Sequence, residues 1–398
     1  MTITGKNSSA GSSKQKAQNR PFRLMIAGAG TGGHLFPGIA VAQELMERVA
    51  GSRVMFVTTG KPIEKTVLSG QAFDIAEIQA AGLKGMGLVA KIRSLMLLIP
   101  GLWRSMIIMG RFRPDAVLGM GGYSAAPVMI AAFLRRVPRL IHEQNRLAGM
   151  TNQLLSRLAG RVLVSFKDTR IRCRADKIRV TGHPVRRQIR DAAEKRKGNK
   201  SKEKSSKPFT VVVLGGSQGA HRINTAVVEA FSIIKDPGRF SVIHQTGVDD
   251  EDQVRKAYTQ MGLNAAVSAF FRDMASVYEA ADVAICRAGA ATLAEIAAVG
   301  IPSLLIPYPY AADNHQVFNA EVFVKAGAAK MILEHELTGS LLASYLESFP
   351  DNYHQSFQNA SRAAAAIGNP RAAACVLAQI IDFARGGSGF LLSGKQEG

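Results

Sequence analysis

At 398 residues with 47% hydrophobic content, the chain is too long for one ordinary core and too apolar for a disordered polymer, so two domains are expected. Its net charge of +20 is unevenly spread, with 23 basic and 9 acidic groups over 21–185 but 13 and 18 over 208–398. A basic front half suits a nucleic acid, an anionic membrane surface or a phosphorylated substrate. Three distant cysteines, Cys173, Cys286 and Cys375, exclude a disulfide framework or a metal knuckle and point to a reducing compartment.

Residues 1–20 are rich in Ser, Lys and Gln without an apolar centre, which reads as a disordered basic tail rather than a signal peptide. No stretch is expected to reach the ~18 apolar residues of a spanning helix. The first ordered piece is an apolar run, Leu24–Ala27, which predicts a buried strand. Gly28-Ala29-Gly30-Thr31-Gly32-Gly33-His34 follows, then a helical pattern over 35–45. Strand, glycine turn and helix start make a site for anions or sugar phosphates. Gly28, Gly30 and Gly33 also satisfy the dinucleotide fingerprint. A dinucleotide enzyme places an acid at the end of its second strand; here Arg53–Thr59 ends in Thr58-Thr59, which weakens that reading. His34 titrates near neutral pH and is the candidate general base, with Glu143 as alternative.

Ala81–Gly87 is a glycine-rich loop, and 88–109 predicts a helix broken at Pro100-Gly101. Lys91, Arg93, Arg104, Arg111 and Arg113 flank its apolar centre, so one face is expected in the core and another at an anionic lipid surface. Strands are expected over 114–119, ending in the loop Gly121-Gly122-Tyr123, and over 139–143, ending in the polar tip Glu143-Gln144-Asn145. Further strands fall at 161–166 and 178–186. Alternating strands and helices imply a parallel sheet whose site lies at the strands' carboxyl ends. Asp191–Lys207 has almost no apolar residue and reads as a charged linker.

The second half repeats the pattern. A strand over 209–214 leads to Gly215-Gly216-Ser217-Gln218-Gly219-Ala220 and a helix over 223–234. A strand over 282–286 leads to a helix start at Gly289–Glu295. Two helix starts in one half favour a nucleotide diphosphate. Glu295 offers a carboxylate to two ribose hydroxyls, unless it is an ordinary first-turn acid. His315, Gln316 and Asn319 share one helix end and suit sugar hydroxyls, or else form a cap cluster headed by Asp313. Asp250-Glu251-Asp252 matches a metal-binding D-x-D pattern but reads as an exposed acidic first turn, and no metal site is expected. Helices are expected over 360–366 and 371–385, followed by a frayed tail over 386–398. The architecture expected is α/β, two Rossmann-like domains facing across a cleft.

Seven motifs occur in order: GAGTGGHLFPG (28–38), GMGGYSAAP (119–127), HEQN (142–145), GHPVR (182–186), GGSQGA (215–220), RAGAATLAE (287–295) and DNHQVFNA (313–320). In this the chain resembles the MurG family of bacterial N-acetylglucosaminyltransferases, over roughly 22–385. The resemblance implies a GT-B fold with an acceptor and membrane-binding domain at 21–186, a linker at 187–207 and a donor domain at 208–368. A helix at 369–385 would return to the first domain. It implies inverting transfer of N-acetylglucosamine from UDP-N-acetylglucosamine to the C4 hydroxyl of the muramoyl sugar of lipid I, with no metal or other cofactor, at the cytoplasmic face of the plasma membrane.

By the same resemblance, His34 is the base. Thr31, Gly32, Gly33, Asn145, Arg186, Ser217 and Gln218 contact the donor, and the Phe271 backbone holds uracil. Ala290, Ala291, Thr292, Leu293 and Ala294 cradle the diphosphate, Glu295 holds the ribose, and His315, Gln316 and Asn319 take the sugar. Gly82, Lys84, Gly85, Gly121, Gly122 and Tyr123 lie on the acceptor side. Partners implied are the undecaprenyl-linked muramoyl-pentapeptide and an anionic membrane, with cell-wall synthesis proteins left open. A UDP-N-acetylglucosamine 2-epimerase uses a similar cleft without a lipid. Nucleic acid is disfavoured, because seven tyrosines and one tryptophan show no basic–aromatic interleaving.

Overall fold

The computed structural model describes residues 21–28, 32–80, 88–199, 208–216, 218–351 and 356–386. Thr31, Gly82, Lys84, Gly85, Ser217 and the two tails lie outside the described residues.

The first sheet holds β1 (Arg23–Gly28), β2 (Arg53–Thr58), β3 (Asp74–Glu77), β4 (Ala116–Gly121), β5 (Arg139–Glu143), β6 (Arg161–Val164) and β7 (Ile178–Val180). Its order is β3-β2-β1-β4-β5-β6-β7, and every pair is parallel. The second holds β8 (Phe209–Leu214), β9 (Phe240–Gln245), β10 (Ala265–Ser268), β11 (Val283–Cys286), β12 (Ser303–Leu305) and β13 (Ala329–Met331). Its order is β10-β9-β8-β11-β12-β13, again parallel throughout. Parallel strands covered on both faces need continuous apolar runs, and β4 and β11 are buried at every position. Strand order reverses between β1 and β4, and again between β8 and β11. Each reversal opens a crevice at the strands' carboxyl ends, just where the two glycine loops lie.

The helices of the first half are α1 (Gly32–Arg48), α2 (Pro62–Leu68), α3 (Leu88–Phe112), α4 (Ala125–Leu134) and α5 (Met150–Leu155). Those that follow are α6 (Arg187–Asn199), α7 (His221–Ile233), α8 (Glu251–Gln260), α9 (Met274–Ala280), α10 (Ala290–Val299), α11 (His315–Lys325), α12 (Gly339–Asp351), α13 (Ser356–Ile367) and α14 (Ala372–Ala384). α1 packs on one face of the first sheet through Leu35, Ile39, Ala42 and Leu45. α3 and α4 cover the other face through Ile108, Met109, Phe112, Val128 and Met129.

The expected break at Pro100-Gly101 is absent, and α3 runs through it. Packing outweighs the hydrogen bond that proline forfeits. Gly101 lies so close to the Gln79 carbonyl that an added Cβ would stand 2.6 Å from it, and the Ser105 hydroxyl donates to the Gly101 carbonyl at 2.7 Å. The expected linker is also corrected, because 187–199 form α6. Ile189 and Ala193, one turn apart, are buried against Val212 and Leu214, Ala192 is buried beside them, and these three apolar anchors dock an otherwise charged helix. Residues 200–207 lie outside the described residues.

Residues 357–384 are long and apolar enough to span a membrane by composition, contrary to the sequence reading. They form two helices separated by a turn, and Val376, Leu377, Ile380 and Ile381 of α14 are buried in the first half's core. Arg161 on β6 donates to Asp382 at 2.6 Å and to the Gln379 side chain at 2.9 Å, fixing α14 there. The chain thus crosses between the halves twice, at 181–186 and 367–372. The Asn369 amide donates to the Thr181 carbonyl at 2.9 Å and ties the crossings together. Gly182 beside them has φ +78°, and a Cβ there would stand 2.8 Å from that of Asn369, so only glycine fits.

Candidate functional site

His34 is the third residue of α1, partly buried at the end of β1. Gly121 ends β4 at φ +92°, and a Cβ there would lie 3.2 Å from His34 Nε2 and 3.2 Å from Asn152 Nδ2. The bare backbone of Gly121 is what lets the imidazole settle at the sheet edge. Burial, with the nearby His315, holds the His34 pKa down at about 4. The ring is therefore neutral at physiological pH and able to accept a proton. Gly32 and Gly33 form the first turn of α1. Tyr123 turns its ring toward Lys61, whose ammonium sits 5.4 Å from the ring centroid and is held more basic by the tyrosine hydroxyl.

Glu143 is fully buried at the end of β5. Its carboxylate accepts from Asn145 N at 2.9 Å, Asn145 Nδ2 at 3.1 Å, Gly149 N at 3.2 Å and Asn152 Nδ2 at 2.9 Å. Burial pushes its pKa up against the pull of these donors. The group is spent on shaping the loop 143–152, which favours His34 over Glu143 as base.

Across the cleft, Gly289 precedes α10, whose first-turn N–H groups have no partner inside the helix. Leu293 is fully buried in the second core and turns away from the mouth. Glu295 is 7% exposed. Its Oε1 accepts from Arg186 Nη2 at 2.8 Å and Nε at 3.2 Å, and its Oε2 accepts from the Tyr278 hydroxyl at 2.9 Å. The Arg186 guanidinium lies 4.3 Å from the Phe36 ring centroid. It is thus sandwiched between α1 of one half and α10 of the other. Phe271 donates its N–H to Gln245 Oε1 at 3.1 Å, and the same amide donates to the Gly216 carbonyl at 3.1 Å. Gln218 is exposed.

α11 closes the cleft. Asn319 is fully buried; its amide donates to Asn145 Oδ1 at 3.1 Å and to the Ala288 carbonyl at 3.3 Å, while its Oδ1 accepts from Arg146 N at 3.0 Å. Arg146 also binds Asp168 at 2.6 Å and Glu321 at 2.7 Å, one carboxylate from each half. His315 Nδ1 donates to the Ala312 carbonyl at 2.8 Å, and Gln316 turns aside to accept from Tyr308 N at 3.0 Å. Asn314, at φ +53°, precedes the helix without a side-chain cap. Glu251 and Asp252 form the acidic first turn expected there, and Asp250 before it accepts from His221 and Asn224. No group of three or more His, Cys, Asp or Glu among the described residues is placed to hold a metal.

Two family models match in tandem, the glycosyltransferase family 28 N-terminal domain over 24–164 and the C-terminal domain over 210–374. The chain is 44% identical over 332 residues to a Geobacter sulfurreducens protein named UDP-N-acetylglucosamine--N-acetylmuramyl-(pentapeptide) pyrophosphoryl-undecaprenol N-acetylglucosamine transferase, covering 83% of this chain and 90% of that one. The chain belongs to glycosyltransferase family 28. The crystal structure of Acinetobacter baumannii MurG superposes with a TM-score of 0.71 at 31% identity, covering 91% of this chain and all of that one. The family 28 fold here is accordingly GT-B. A Neisseria meningitidis UDP-GlcNAc 2-epimerase shares the fold alone, at TM-score 0.65 and 15% identity over 90% of this chain and 99% of that one.

The structure brings together His34, Gly121, Asn145, Arg186, Glu295, His315 and Asn319 of the sequence-predicted site. It buries Leu293, engages the Gln316 side-chain carbonyl oxygen with Tyr308 N, and leaves Gln218 exposed. Sequence reasoning missed Phe36, Tyr278, Arg146 and Glu321. Phe36, two residues from His34, was placed in the helix but not given a role. Arg146 and Glu321 pair across 175 residues of chain, and Tyr278 meets Glu295 17 residues on, from a different helix, so no local pattern signals them.

Proposed function

We propose that this family 28 enzyme transfers N-acetylglucosamine from UDP-N-acetylglucosamine to the C4 hydroxyl of the muramoyl sugar of an undecaprenyl-pyrophosphoryl muramoyl-pentapeptide, lipid I, giving lipid II with inversion. The observation that carries this is 44% identity over 83% of the chain with a transferase named for that reaction. The cleft chemistry is consistent with it. His34 takes the acceptor hydroxyl proton as the oxygen attacks the donor's anomeric carbon. The bond from that carbon to the UDP oxygen breaks, and its electron pair leaves with UDP.

Arg186 uses Nε and Nη2 on Glu295, so Nη1 is the edge left for the diphosphate. The α10 N-terminus adds its partial positive charge there. Glu295, fixed by Arg186 and Tyr278, meets the ribose as part of that pair rather than as a free carboxylate. Gly32, Gly33, Asn145 and His315 line the sugar side, with Asn319 holding Asn145 from behind, and Gly121, Gly122 and Tyr123 line the acceptor side. The domain boundaries proposed are 21–186 and 208–368, with α14 returned to the first.

We place the enzyme at the cytoplasmic face of the plasma membrane as a peripheral protein. On α3, Ile99 and Trp103 are 73% and 70% exposed, one turn apart on one helical edge, with arginines beside them. Replacing His34 by Ala should abolish transfer while leaving UDP binding within about twofold, because no donor phosphate contact is lost. Near-normal turnover in H34A would remove His34 from the mechanism.

A further inference from the structure

A strap joins the two halves beside the cleft, and the transfer chemistry does not account for it. It begins in the loop after β5. The Arg146 carbonyl accepts from Arg170 N at 2.7 Å, and Ala148 N donates to the Arg170 carbonyl at 3.2 Å. Leu147 and Arg170 thereby pair as a bridge, which makes 145–148 and 168–170 one unit of the first half. That unit lands on α11 of the second half at three points. The Arg170 guanidinium lies 5.1 Å from the Phe318 ring centroid. Arg146 N donates to Asn319 Oδ1 at 3.0 Å, and Arg146 Nη1 donates to Glu321 Oε2 at 2.7 Å. Phe318 and Glu321 are three residues apart, so they share one face of α11. β5 stands two strands from β7, where the 181–186 crossing begins, so the strap lies roughly 10 Å from the covalent connection.

Arg146 is not an anion contact for the ligand. Asp168 takes its Nε at 2.6 Å and Glu321 its Nη1, so two carboxylates already neutralise it. Nor is it an ordinary surface pair, because its side chain is only 11% exposed. The two carboxylates differ in what they join. Asp168 belongs to the same half and is 56% exposed, whereas Glu321 belongs to the other half and is 33% exposed. Asp168 aims the guanidinium, and Glu321 is the contact that ties the halves. Beside these anchors sits Asn145, whose Oδ1 accepts from Asn319 and whose Nδ2 donates to Glu143. An amide nitrogen carries two hydrogens, so one N–H of Asn145 is left for a sugar hydroxyl. We propose that Arg146 is a positioning residue for the donor sugar: by strapping the 145–148 loop to Glu321 on α11, it holds the Asn145 amide where the sugar binds. This rests on the donor proposed above, and it makes recognition of the sugar depend on a contact between the halves.

The test is calorimetric titration of the full chain with UDP-N-acetylglucosamine and, separately, with UDP. E321Q should bind UDP-N-acetylglucosamine about tenfold more weakly, because a contact one third exposed keeps only part of a buried pair's worth. Its affinity for UDP should stay within about twofold, since the strap serves the sugar alone. R146M should match E321Q, and R146M/E321Q should be no weaker than either, because all three remove one contact. D168N and R146K each keep a cation facing Glu321, where a point charge suffices, and should stay within about threefold of wild type. Amide hydrogen exchange supplies a readout that needs no ligand. E321Q, a change on α11, should speed exchange of the Arg146 N–H about tenfold as the loop lifts off Asn319. Unchanged Arg146 exchange in E321Q, or D168N as weak as E321Q, overturns the strap. Equal losses for UDP and UDP-N-acetylglucosamine overturn the positioning of the sugar. Failure of the wild type to bind UDP-N-acetylglucosamine would instead refute the proposed donor, with the strap still decided by exchange.

Discussion

Arg186 is the residue whose loss the structure prices most sharply. Its guanidinium is 16% exposed, pairs with a Glu295 side chain that is 10% exposed, and lies on the Phe36 ring. Replacing Arg186 by Met keeps most of the packing on Phe36 but leaves the Glu295 carboxylate with the Tyr278 hydroxyl alone. Breaking a buried pair from one side costs about 3–5 kcal/mol, and residual solvent reduces this to roughly 2–4 kcal/mol here. Replacing both partners, R186M/E295Q, removes the stranded charge and should restore at least half of the loss. Denaturant unfolding followed by circular dichroism, with unchanged m values, measures both variants. Because Nη1 is also the proposed diphosphate contact, the double variant should regain stability without regaining donor affinity. A single variant within about 1 kcal/mol of wild type, or a double variant no better than the single, would refute a buried pair bridging the halves.

Other outcomes follow from the same geometry. With the His34 pKa at about 4, the acid limb of kcat/KM assigned to the base should have its midpoint near there, and titration near 6.5 would contradict the desolvation of the ring and its proximity to His315. His142 and His244 are fully buried and held at about 4 and about 3. Above pH 6.5 neither is protonated in either state; below it the unfolded chain takes up protons first, so stability should fall from pH 6.5 to about 3–4 by roughly 3 kcal/mol or more per histidine. H244N should flatten that slope in a denaturation series, and an unchanged slope would contradict the burial of that ring. Replacing Asn319 by Ala strands Asn145 Oδ1, the Ala288 carbonyl and the Arg146 N–H, so stability should drop by about 2–4 kcal/mol and donor KM should rise about tenfold.

The fold was legible where pattern and packing agree. Continuous apolar runs gave β1, β4, β8 and β11, and the glycines after β1, β4 and β8 marked the crevices. α2 and β3 were not legible: β3 has no fully buried position and hence no apolar run, and the 7 residues of α2 are too few for a period to emerge. The Pro100 break failed because Gly101 packs on Gln79, a contact no local rule contains. The linker failed because Ile189, Ala192 and Ala193 are only three apolar anchors in a charged run. At the site, His34 and Asn319 were found through motifs, but the pairing of Arg186 with Glu295 was not. It joins residues 109 apart, and it changes a free ribose acceptor into half of an ion pair.

The central claim is a group transfer, and product analysis tests it directly. The full chain is incubated with labelled UDP-N-acetylglucosamine and a lipid I analogue, and the products are separated and their linkage read by NMR. One UDP should be released for each β-linked N-acetylglucosaminyl muramoyl product, with no donor consumed when acceptor is left out. Formation of UDP-N-acetylmannosamine without acceptor, or an α-linked product, would contradict the account.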